Sequence, residues 1–298
     1  MSSRYWELMV AVPPDASEGL TNFVWELGAV GVVEEETPAD GARLRAFFPD
    51  AADSEAVARS VDDYLGALAS LGFARAGHPA VTTVADTDWA EAWRAHFAPL
   101  PIGRRLLVAP PWETPPDADG RLVLTLEPGR AFGTGQHATT AGCLELLETI
   151  VERRRPARAI DLGTGSGILA IAAARLGVPE VLAIDSDPDA IAAATANVQR
   201  NGLDGRVTCE GADVAALDAE PAPLVLANLL AAAHRALAPC YARLVTAGGV
   251  LVAGGCLDGE ADEVVTALNE HGFRRDAVRS IEGWTTLACE HAPLRDHP

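Results

Sequence analysis

Hydrophobic residues in the first part of the chain follow two spacings, which predict four strands and two helices. Alternating or short continuous apolar runs favour strands, whereas Leu20, Phe23 and Val24 recur on one helix face. The order β-α-β-β-α-β is that of a ferredoxin-like split fold. Strands are expected at residues 5–12, 31–35, 42–48 and 80–85, and helices at residues 17–27 and 54–71.

From residue 104 onward, short apolar runs alternate with stretches of helical period. This alternation predicts an α/β fold with a mainly parallel, doubly wound sheet. Residues 273–289 show no long helical pattern and are expected to form strands at the edge of that sheet. The other strands are expected near residues 104–109, 122–127, 158–161, 181–185, 206–209, 223–228 and 249–253.

Between the two regions, Trp89, Trp93 and Phe97 recur every four residues, which places them on one face of a short helix. We interpret this stripe as the docking face of a linker helix rather than as a ligand site. The segment that follows is rich in proline, as is typical of a connecting region. The sequence therefore predicts a first domain at residues 1–87, a linker helix at residues 88–100 and a second domain at residues 101–298.

Composition narrows the classes of function. The 23 basic and 42 acidic residues give a net charge of −19, which argues against tight binding to nucleic-acid phosphates. A basic partner fits this charge, although acidic surfaces also serve solubility. Every basic residue is arginine and the chain contains no lysine. Mechanisms that need a P-loop lysine, a Schiff-base lysine or a lysine base are therefore excluded.

The five cysteines are scattered and form no C-x-x-C pair, so neither a metal site nor a disulfide framework is expected. No apolar run reaches the roughly eighteen residues of a membrane span. The first residues, Met1-Ser2-Ser3-Arg4, lack the apolar region of a signal peptide. We therefore expect a cytoplasmic protein that makes no contact with membranes.

A glycine-rich turn follows the apolar run at residues 158–160 and reads DLGTGSG over residues 161–167. Glycines at a strand-to-helix turn let a ligand approach the backbone because no Cβ intervenes. The next strand ends at Asp185, where a carboxylate can accept both hydroxyls of a ribose. The unit predicts a nucleoside site, in preference to a glycine-rich turn without a ligand.

The spacing of the glycines distinguishes between nucleoside cofactors. Gly163, Gly165 and Gly167 form G-x-G-x-G, and Ile168 stands where the dinucleotide fingerprint has its third glycine. Asp161, two residues before Gly163, suits a cationic amino-acid group and would repel a pyrophosphate. Both features favour S-adenosylmethionine over NAD as the cofactor.

Two further segments carry polar groups suited to a ligand. Residues 127–140, EPGRAFGTGQHATT, are expected to fold over it, with Phe132 as a stacking wall and Thr139 or Thr140 capping the next helix. Glu127 is a candidate contact for the amino group of the cofactor. Asn228 ends an apolar strand, at the edge where open α/β sheets bind ligands.

These segments occur in the same order in ribosomal protein L11 methyltransferases, which the chain resembles over essentially its whole length. The likeness is carried by FGTGxHxTT at residues 132–140, by the turn at residues 161–167 and by ANLLA at residues 227–231. It implies a Rossmann-like, S-adenosylmethionine-dependent methyltransferase domain, preceded by a ferredoxin-like domain that recognises ribosomal protein L11. We expect a monomer that modifies amines of L11, namely lysine side chains and the N-terminal amine, without binding nucleic acid.

The resemblance also implies residue roles. The family's cofactor positions match here at Thr140, Gly163, Asp185 and Asn228, and the composition of the loop and turn adds Phe132 and Gly165. Four positions depart from the family's common residues without removing a required donor or acceptor, namely Gln136, Ala138, Thr164 and Leu229.

Methyl transfer from a sulfonium needs geometry more than acid–base chemistry. The attacking amine must be neutral, and an apolar channel wall of Phe132, Leu229 and Leu230 would favour that state by desolvation. We assign Asn228 to orientation of the acceptor amine or the cofactor. His137 precedes a predicted helix and is expected to stay neutral, which favours a donor or packing role over a general base.

Three alternatives stay open at this point. A related enzyme could methylate lysines of another protein, and a ribosome-assembly factor could retain the cofactor site without catalysis. A nucleotide-dependent oxidoreductase is the third, because its glycine-rich turn would occupy the same place in the fold.

Overall fold

The structure is a computed structural model, and contacts within it divide the chain into two compact units, Met1–Ala98 and Pro99–Pro298. Most of the predicted linker helix, including Trp89, Trp93 and Phe97, lies outside the described residues, but Leu100 already begins a strand, so that helix does not extend to residue 100. The described residues are 5–12, 19–21, 23–25, 27–29, 31–37, 41–70, 77–84, 98–113, 120–127 and 137–292.

The first unit has the predicted ferredoxin-like order. Its antiparallel sheet runs β2-β3-β1-β4, and every second residue of β1 is buried against helical residues 19–21, 23–25 and α1. Because side chains alternate across a strand, one face of the sheet supplies the core of this unit. The elements are β1 (Tyr5–Val12), β2 (Gly31–Thr37), β3 (Gly41–Pro49), α1 (Ser54–Ser70) and β4 (Ala80–Val84).

The second unit contains a seven-stranded sheet in the order β10-β9-β8-β11-β12-β14-β13, in which only the pairings of β14 are antiparallel. Its strands are β8 (Arg158–Leu162), β9 (Glu180–Asp185), β10 (Val207–Gly211), β11 (Ala222–Asn228), β12 (Val245–Leu257), β13 (Phe273–Ile281) and β14 (Trp284–His291). The helices are α2 (Ala138–Arg154), α3 (Ile168–Leu176), α4 (Pro188–Arg200), α5 (Ala231–Leu244) and α6 (Ala261–Glu270).

This topology confirms the doubly wound prediction and places its switch point. The chain passes from β8 outward to β9 and β10, then returns to β11 on the other side of β8. A crevice therefore opens between the carboxyl ends of β8 and β11, where such sheets bind ligands. Two apolar clusters, which include Leu169 and Tyr241 respectively, fill the second unit. No helix in the described part of the chain is long and apolar enough to cross a membrane.

One prediction about the sheet is wrong. The strands expected at residues 104–109 and 122–127 do not join the large sheet, but form a separate three-stranded sheet in the order β5-β6-β7. Side chains of neighbouring helices hold these strands: the Glu148 carboxylate accepts Arg104 N–H, and Asn201 exchanges two hydrogen bonds with the backbone of Thr125. The strands are β5 (Leu100–Ile102), β6 (Leu106–Ala109) and β7 (Leu122–Thr125).

The carboxyl half of the sheet differs from prediction in two details. β13 lies at the edge as expected, but β14 is inserted between β12 and β13. β12 is also longer than predicted, and its register with β14 shifts between Ala253 and Cys256. The shift falls beside the end of β11, so the irregular part of β12 lies at the ligand-binding edge.

Candidate functional site

The glycine-rich turn after β8 has the conformation that its composition predicts. Gly163, Gly165 and Gly167 have φ angles of +68°, +53° and +83°, which are left-handed values that glycine adopts without strain. A Cβ on Gly163 would lie 2.6 Å from Leu229 Cδ2, so close packing also requires glycine there. The turn is thus shaped by contact with the neighbouring strand end as well as by room for a ligand.

Asp185 sits at the carboxyl end of β9, beside this turn. One carboxylate oxygen accepts Gly165 N–H at 2.9 Å and the other accepts Asp187 N–H at 3.0 Å. A carboxylate has about four lone-pair positions, so two acceptor sites stay available after these bonds. The side chain is only partly buried, which leaves it accessible to the hydroxyls of a ribose.

Asp161 is the buried charge of the site, with 1% of its surface exposed. Oδ2 accepts Thr164 Oγ1–H at 2.6 Å and Ala170 N–H at 3.1 Å, whereas Oδ1 has no partner among the described residues. Burial raises the pKa of this carboxyl from 3.8 to about 7, and the two hydrogen bonds oppose that rise. A cation placed near Oδ1 would therefore stabilise the ionised form.

Asn228 ends β11 on the other side of the crevice. Its Nδ2 donates to Thr139 Oγ1 at 3.2 Å and to Thr140 Oγ1 at 3.4 Å, in the first turn of α2. Its Oδ1 accepts no hydrogen bond from any described residue. The amide thus offers an acceptor atom at the carboxyl edge of the sheet, where Oδ1 lies beside Gly254 and Gly255 of β12.

The start of α2 corrects the predicted helix cap. His137, and not a threonine, is the N-cap, because the helix begins at Ala138 and the threonines already lie in its first turn. His137 Nδ1 accepts Thr139 N–H at 3.3 Å and lies 2.8 Å from Thr139 Oγ1. An imidazole nitrogen that accepts a hydrogen bond carries no proton, so a neutral ring with its proton on Nε2 fits this geometry. The lone pair that a general base would need, on Nδ1, is thus engaged by Thr139, and the histidine caps the helix instead.

These bonds fix the direction of the Asn228 amide. When the hydroxyl of Thr139 donates to His137, its oxygen is left to accept from Asn228 Nδ2. The chain of donors runs from Asn228 through Thr139 to His137, and Oδ1 lies beside Gly254 and Gly255. The predicted site residues Thr140 and Asn228 are thus brought together by hydrogen bonding.

The other site residues predicted from the sequence do not take part in these hydrogen bonds among the described residues. Glu127 is exposed, and its carboxylate forms an ion pair with Arg200. Phe132 lies outside the described residues, as does the rest of the loop at residues 128–136. Leu230 is 68% exposed, while the Leu229 side chain packs over Gly163.

Comparison with known proteins agrees with this arrangement. A family model described as ribosomal protein L11 methyltransferase matches residues 4–292. The L11 methyltransferase of Pelobacter propionicus is 38% identical over 288 residues, which cover 90% of this chain and 91% of that relative. The enzyme of the same name from Geobacter sulfurreducens is also 38% identical, with 96% and 98% of the two chains covered.

The chain belongs to the ribosomal protein L11 methyltransferase family. A solved structure of a ribosomal protein L11 methylase from Lactobacillus delbrueckii subsp. bulgaricus superposes with a TM-score of 0.61 at 29% identity. The superposition covers 66% of this chain and 100% of that one. About two thirds of this chain therefore shares its fold with that solved L11 methylase.

The residues present fit the cofactor of an S-adenosylmethionine-dependent methyltransferase. Asp161 Oδ1 is a buried acceptor without a described partner, which suits the ammonium of the methionine group. The left-handed glycines leave the backbone uncovered, and Asp185 has spare acceptor capacity for a ribose. The three features lie along one turn and the adjacent strand end.

Two features of this L11 methyltransferase family member were not found from sequence. Asn197 is buried on α4, where it donates to Ser166 O and accepts Glu127 N–H, so it joins the glycine-rich turn to the chain after β7. Trp284 meets the His137 ring edge to face, with centroids 5.1 Å apart. The position of Asn197 on the apolar face of α4, beside Ala194 and Val198, was the available signal.

A cleft of about 510 Å³ lies elsewhere and does not belong to this site. Arg105, Val151, Arg155 and Leu176 are among its lining residues, and they belong to the ends of elements far from the carboxyl edge of the sheet. None of the predicted cofactor residues lines it. The candidate cofactor residues Gly163, Asp185 and Asn228 lie instead at the carboxyl ends of β8, β9 and β11.

Proposed function

We propose that this protein transfers methyl groups from S-adenosylmethionine to amines of ribosomal protein L11, on lysine side chains and on the N-terminal amine. The observation that carries the proposal is the pair of acceptor atoms at the carboxyl edge of the sheet, Asp161 Oδ1 and Asn228 Oδ1, neither of which accepts a hydrogen bond from a described residue. The cofactor-binding residues in this proposal are Phe132, Thr140, Gly163, Gly165, Asp185 and Asn228.

For this reaction the protein must align the acceptor amine with the methyl group of S-adenosylmethionine. S-adenosylmethionine supplies an electrophilic methyl group with a neutral thioether as its leaving group. Asp161 and Asp185 would hold the charged and hydroxyl-bearing parts of the cofactor, and Asn228 Oδ1 would accept a hydrogen bond from the acceptor amine. Orientation of this kind is worth roughly 7–11 kcal/mol of the barrier in well-aligned systems.

The acceptor amine must lose a proton before it attacks. A free lysine has a pKa near 10.4, so about three units separate it from neutral pH. Apolar surroundings lower that pKa, because they disfavour the charged form. The exposed Leu230, the Trp284 ring and Phe132 are the side chains that we assign to the apolar entry for the acceptor.

The remaining assignments concern the whole protein. We propose that residues 1–87 recognise the acceptor protein, that residues 88–100 link them to the methyltransferase domain at residues 101–298, and that the protein acts as a cytoplasmic monomer. The net charge of −19 favours a basic protein partner and opposes direct contact with nucleic acid. Size-exclusion chromatography of the purified protein tests whether it is a monomer.

Mass spectrometry of unmethylated L11 after incubation with enzyme and S-adenosylmethionine tests the proposed function. We expect added methyl groups on L11, which fragmentation would assign to lysines or to the N-terminal amine. The enzyme has no lysine of its own, so every methyl-lysine detected arises from the acceptor. S-adenosylhomocysteine in excess serves as the inhibited control.

Failure of this reaction would separate the alternatives. Labelling of other proteins in a cell extract, with L11 untouched, would identify a lysine methyltransferase with a different acceptor. Cofactor that is bound but never consumed would identify a non-catalytic assembly factor. Either result contradicts methyl transfer to L11.

A further inference from the structure

A histidine and a tyrosine form a hydrogen-bonded pair in the core behind the strand end that carries Asn228. His234 and Tyr241 lie on one face of α5, and both have 0% of their surface exposed. His234 Nδ1 is 2.9 Å from Tyr241 Oη, and His234 Nε2 is 2.7 Å from Gly254 O. Neither side chain belongs to the cofactor or acceptor contacts assigned above.

The partners determine which nitrogen carries the proton. A backbone carbonyl only accepts, so His234 Nε2 must donate to Gly254 O. Nδ1 is then the acceptor for the hydroxyl proton of Tyr241. Burial lowers the pKa of the His234 imidazole and raises that of the Tyr241 hydroxyl, so both groups stay neutral. The titratable groups that act on Tyr241 are the thiols of Cys240 and Cys256.

The carbonyl that His234 holds is part of the site's framework. Gly254 O also accepts Leu229 N–H at 3.1 Å, and Gly254 pairs with Asn228 in the register of β11 and β12. A Cβ at Gly254 would lie 3.0 Å from Asn228 Oδ1. The two acceptor positions of this carbonyl are therefore filled by the residue after Asn228 and by His234.

Gly254 lies where the pairing of β12 with β14 is irregular. The pairing of β12 with β14 shifts register between Ala253 and Cys256, so Gly254 lies in the segment without a regular β14 partner. An irregular backbone segment needs other contacts to hold one position. The hydrogen bond from His234, on α5, supplies such a contact to Gly254.

We propose that His234 and Tyr241 are positioning residues for methyl transfer, which hold the Gly254 carbonyl and thereby the Asn228–Leu230 strand end in its reactive position. The pair acts through hydrogen-bond geometry and touches neither cofactor nor acceptor. This inference rests on the proposed function, because its kinetic readout is the transfer reaction.

Kinetics of the full-length protein test the inference, with turnover and S-adenosylmethionine affinity measured separately. We expect His234→Leu to lower kcat at least about tenfold while the Kd for S-adenosylmethionine changes less than about threefold. His234→Gln should recover most of the lost turnover, since an amide can donate to Gly254 O and accept from Tyr241. Tyr241→Phe, which removes only the hydroxyl, should lower kcat about threefold.

His291→Leu is the matched control. His291 Nδ1 lies 2.8 Å from Val245 O, so it also contacts a backbone carbonyl of β12, but at the opposite end of that strand. We expect its kcat to stay within about twofold of the wild-type value. Equal losses of kcat in His291→Leu and His234→Leu would overturn the inference, as would unchanged kcat in both His234→Leu and Tyr241→Phe.

Nuclear magnetic resonance of the imidazole nitrogens adds a readout that needs no activity. We expect His234 in the wild-type protein to show a protonated Nε2 and an unprotonated Nδ1 at neutral pH, with His234→Gln used for assignment. A proton on Nδ1 would contradict the inference even if L11 is methylated. Absence of transfer by the wild-type enzyme would instead refute the proposed function, while the tautomer still reports on the pair.

Discussion

The turns after β8 and after β11 lie side by side at the crevice, yet they are held in different ways. The turn after β8 contains its own glycines and is stabilised by Asp161 and Asp185, whose carboxylates bind backbone N–H groups of nearby residues. The turn after β11 contains no glycine between Asn228 and Leu230. The glycines that make room for it lie on β12, at Gly254 and Gly255.

This difference explains why the conformation of the first turn could be predicted from sequence, whereas for the second turn the sequence indicated Asn228 but not the contacts that hold it. Residues that shape the first turn fall within a short segment, so their spacing is a readable pattern. Residues that shape the second turn come from α2, α5 and β12, and meet only in the folded protein. The two turns touch where Leu229 packs over Gly163.

The largest effect is expected from Asp161→Asn, which removes the buried charge of the first turn. The folded pKa of about 7 lies above 3.8, so protonation stabilises the ligand-free protein below pH 4, and this contribution is lost as pH rises through 7. Relative to the variant, the wild type should therefore lose up to about 4 kcal/mol of unfolding free energy over that range.

Urea unfolding at a series of pH values between 4 and 8 measures this difference. The variant should also bind S-adenosylmethionine at least about tenfold more weakly at pH 8, because an amide cannot pair with the ammonium group. Parallel stability curves for the two proteins would show that Asp161 is not a strained buried acid.

The next largest effect is expected from Gly163→Ala, because Gly163 of the first turn contacts Leu229 of the second. Gly202→Ala is the control, because Gly202 has a φ of +64° and a Cβ there would meet nothing within 4 Å. Both variants should lose about 1 kcal/mol for the left-handed conformation. Gly163→Ala should lose a further 1–3 kcal/mol, roughly, from overpacking against Leu229.

Thermal or urea unfolding of the two glycine variants measures this difference in stability. Titration with S-adenosylmethionine then shows whether cofactor binding is also affected. We expect weaker S-adenosylmethionine binding in Gly163→Ala alone. Equal stability and equal affinity in the two variants would mean that the turns do not constrain each other.

Asn228→Ala tests the second turn by itself. We expect kcat to fall about 100-fold, as is usual when one group aimed at the reacting atoms is removed, with a smaller effect on cofactor affinity. Steady-state kinetics with L11, together with calorimetry of S-adenosylmethionine binding, separate the two quantities. Equal effects on both would make Asn228 a cofactor ligand only.

Asp185→Ala should give the smallest of these effects and confine it to the cofactor. Loss of a charged acceptor for two hydroxyls should weaken binding by roughly 1.5–3 kcal/mol. Asp187→Ala is the control, because Asp187 caps α4 through Asp189 N–H and has no assigned ligand contact. If both variants bound S-adenosylmethionine with wild-type affinity, the ribose assignment to Asp185 would be refuted.

The fold was predictable to the extent that its signals were local. The strand and helix periods predicted the order of both units, and prolines and glycines marked their ends. The small β5-β6-β7 sheet was mispredicted because strand character does not say which strand is the neighbour. Its placement depends on Glu148 of α2 and on Asn201, which follows the last residue of α4, and both lie far along the chain.

The nucleoside turn is predictable from sequence alone, since its glycines and acids act within a short stretch of backbone and their spacing carries the chemistry. The orientation of Asn228 is visible only in the folded protein, because its partners Thr139 and Gly254 come from α2 and β12. The roles of His137 as a cap and of His234 as a buried donor were decided in the same way. A hydrogen bond needs a partner at a defined distance and angle, and only folding brings distant residues to that geometry.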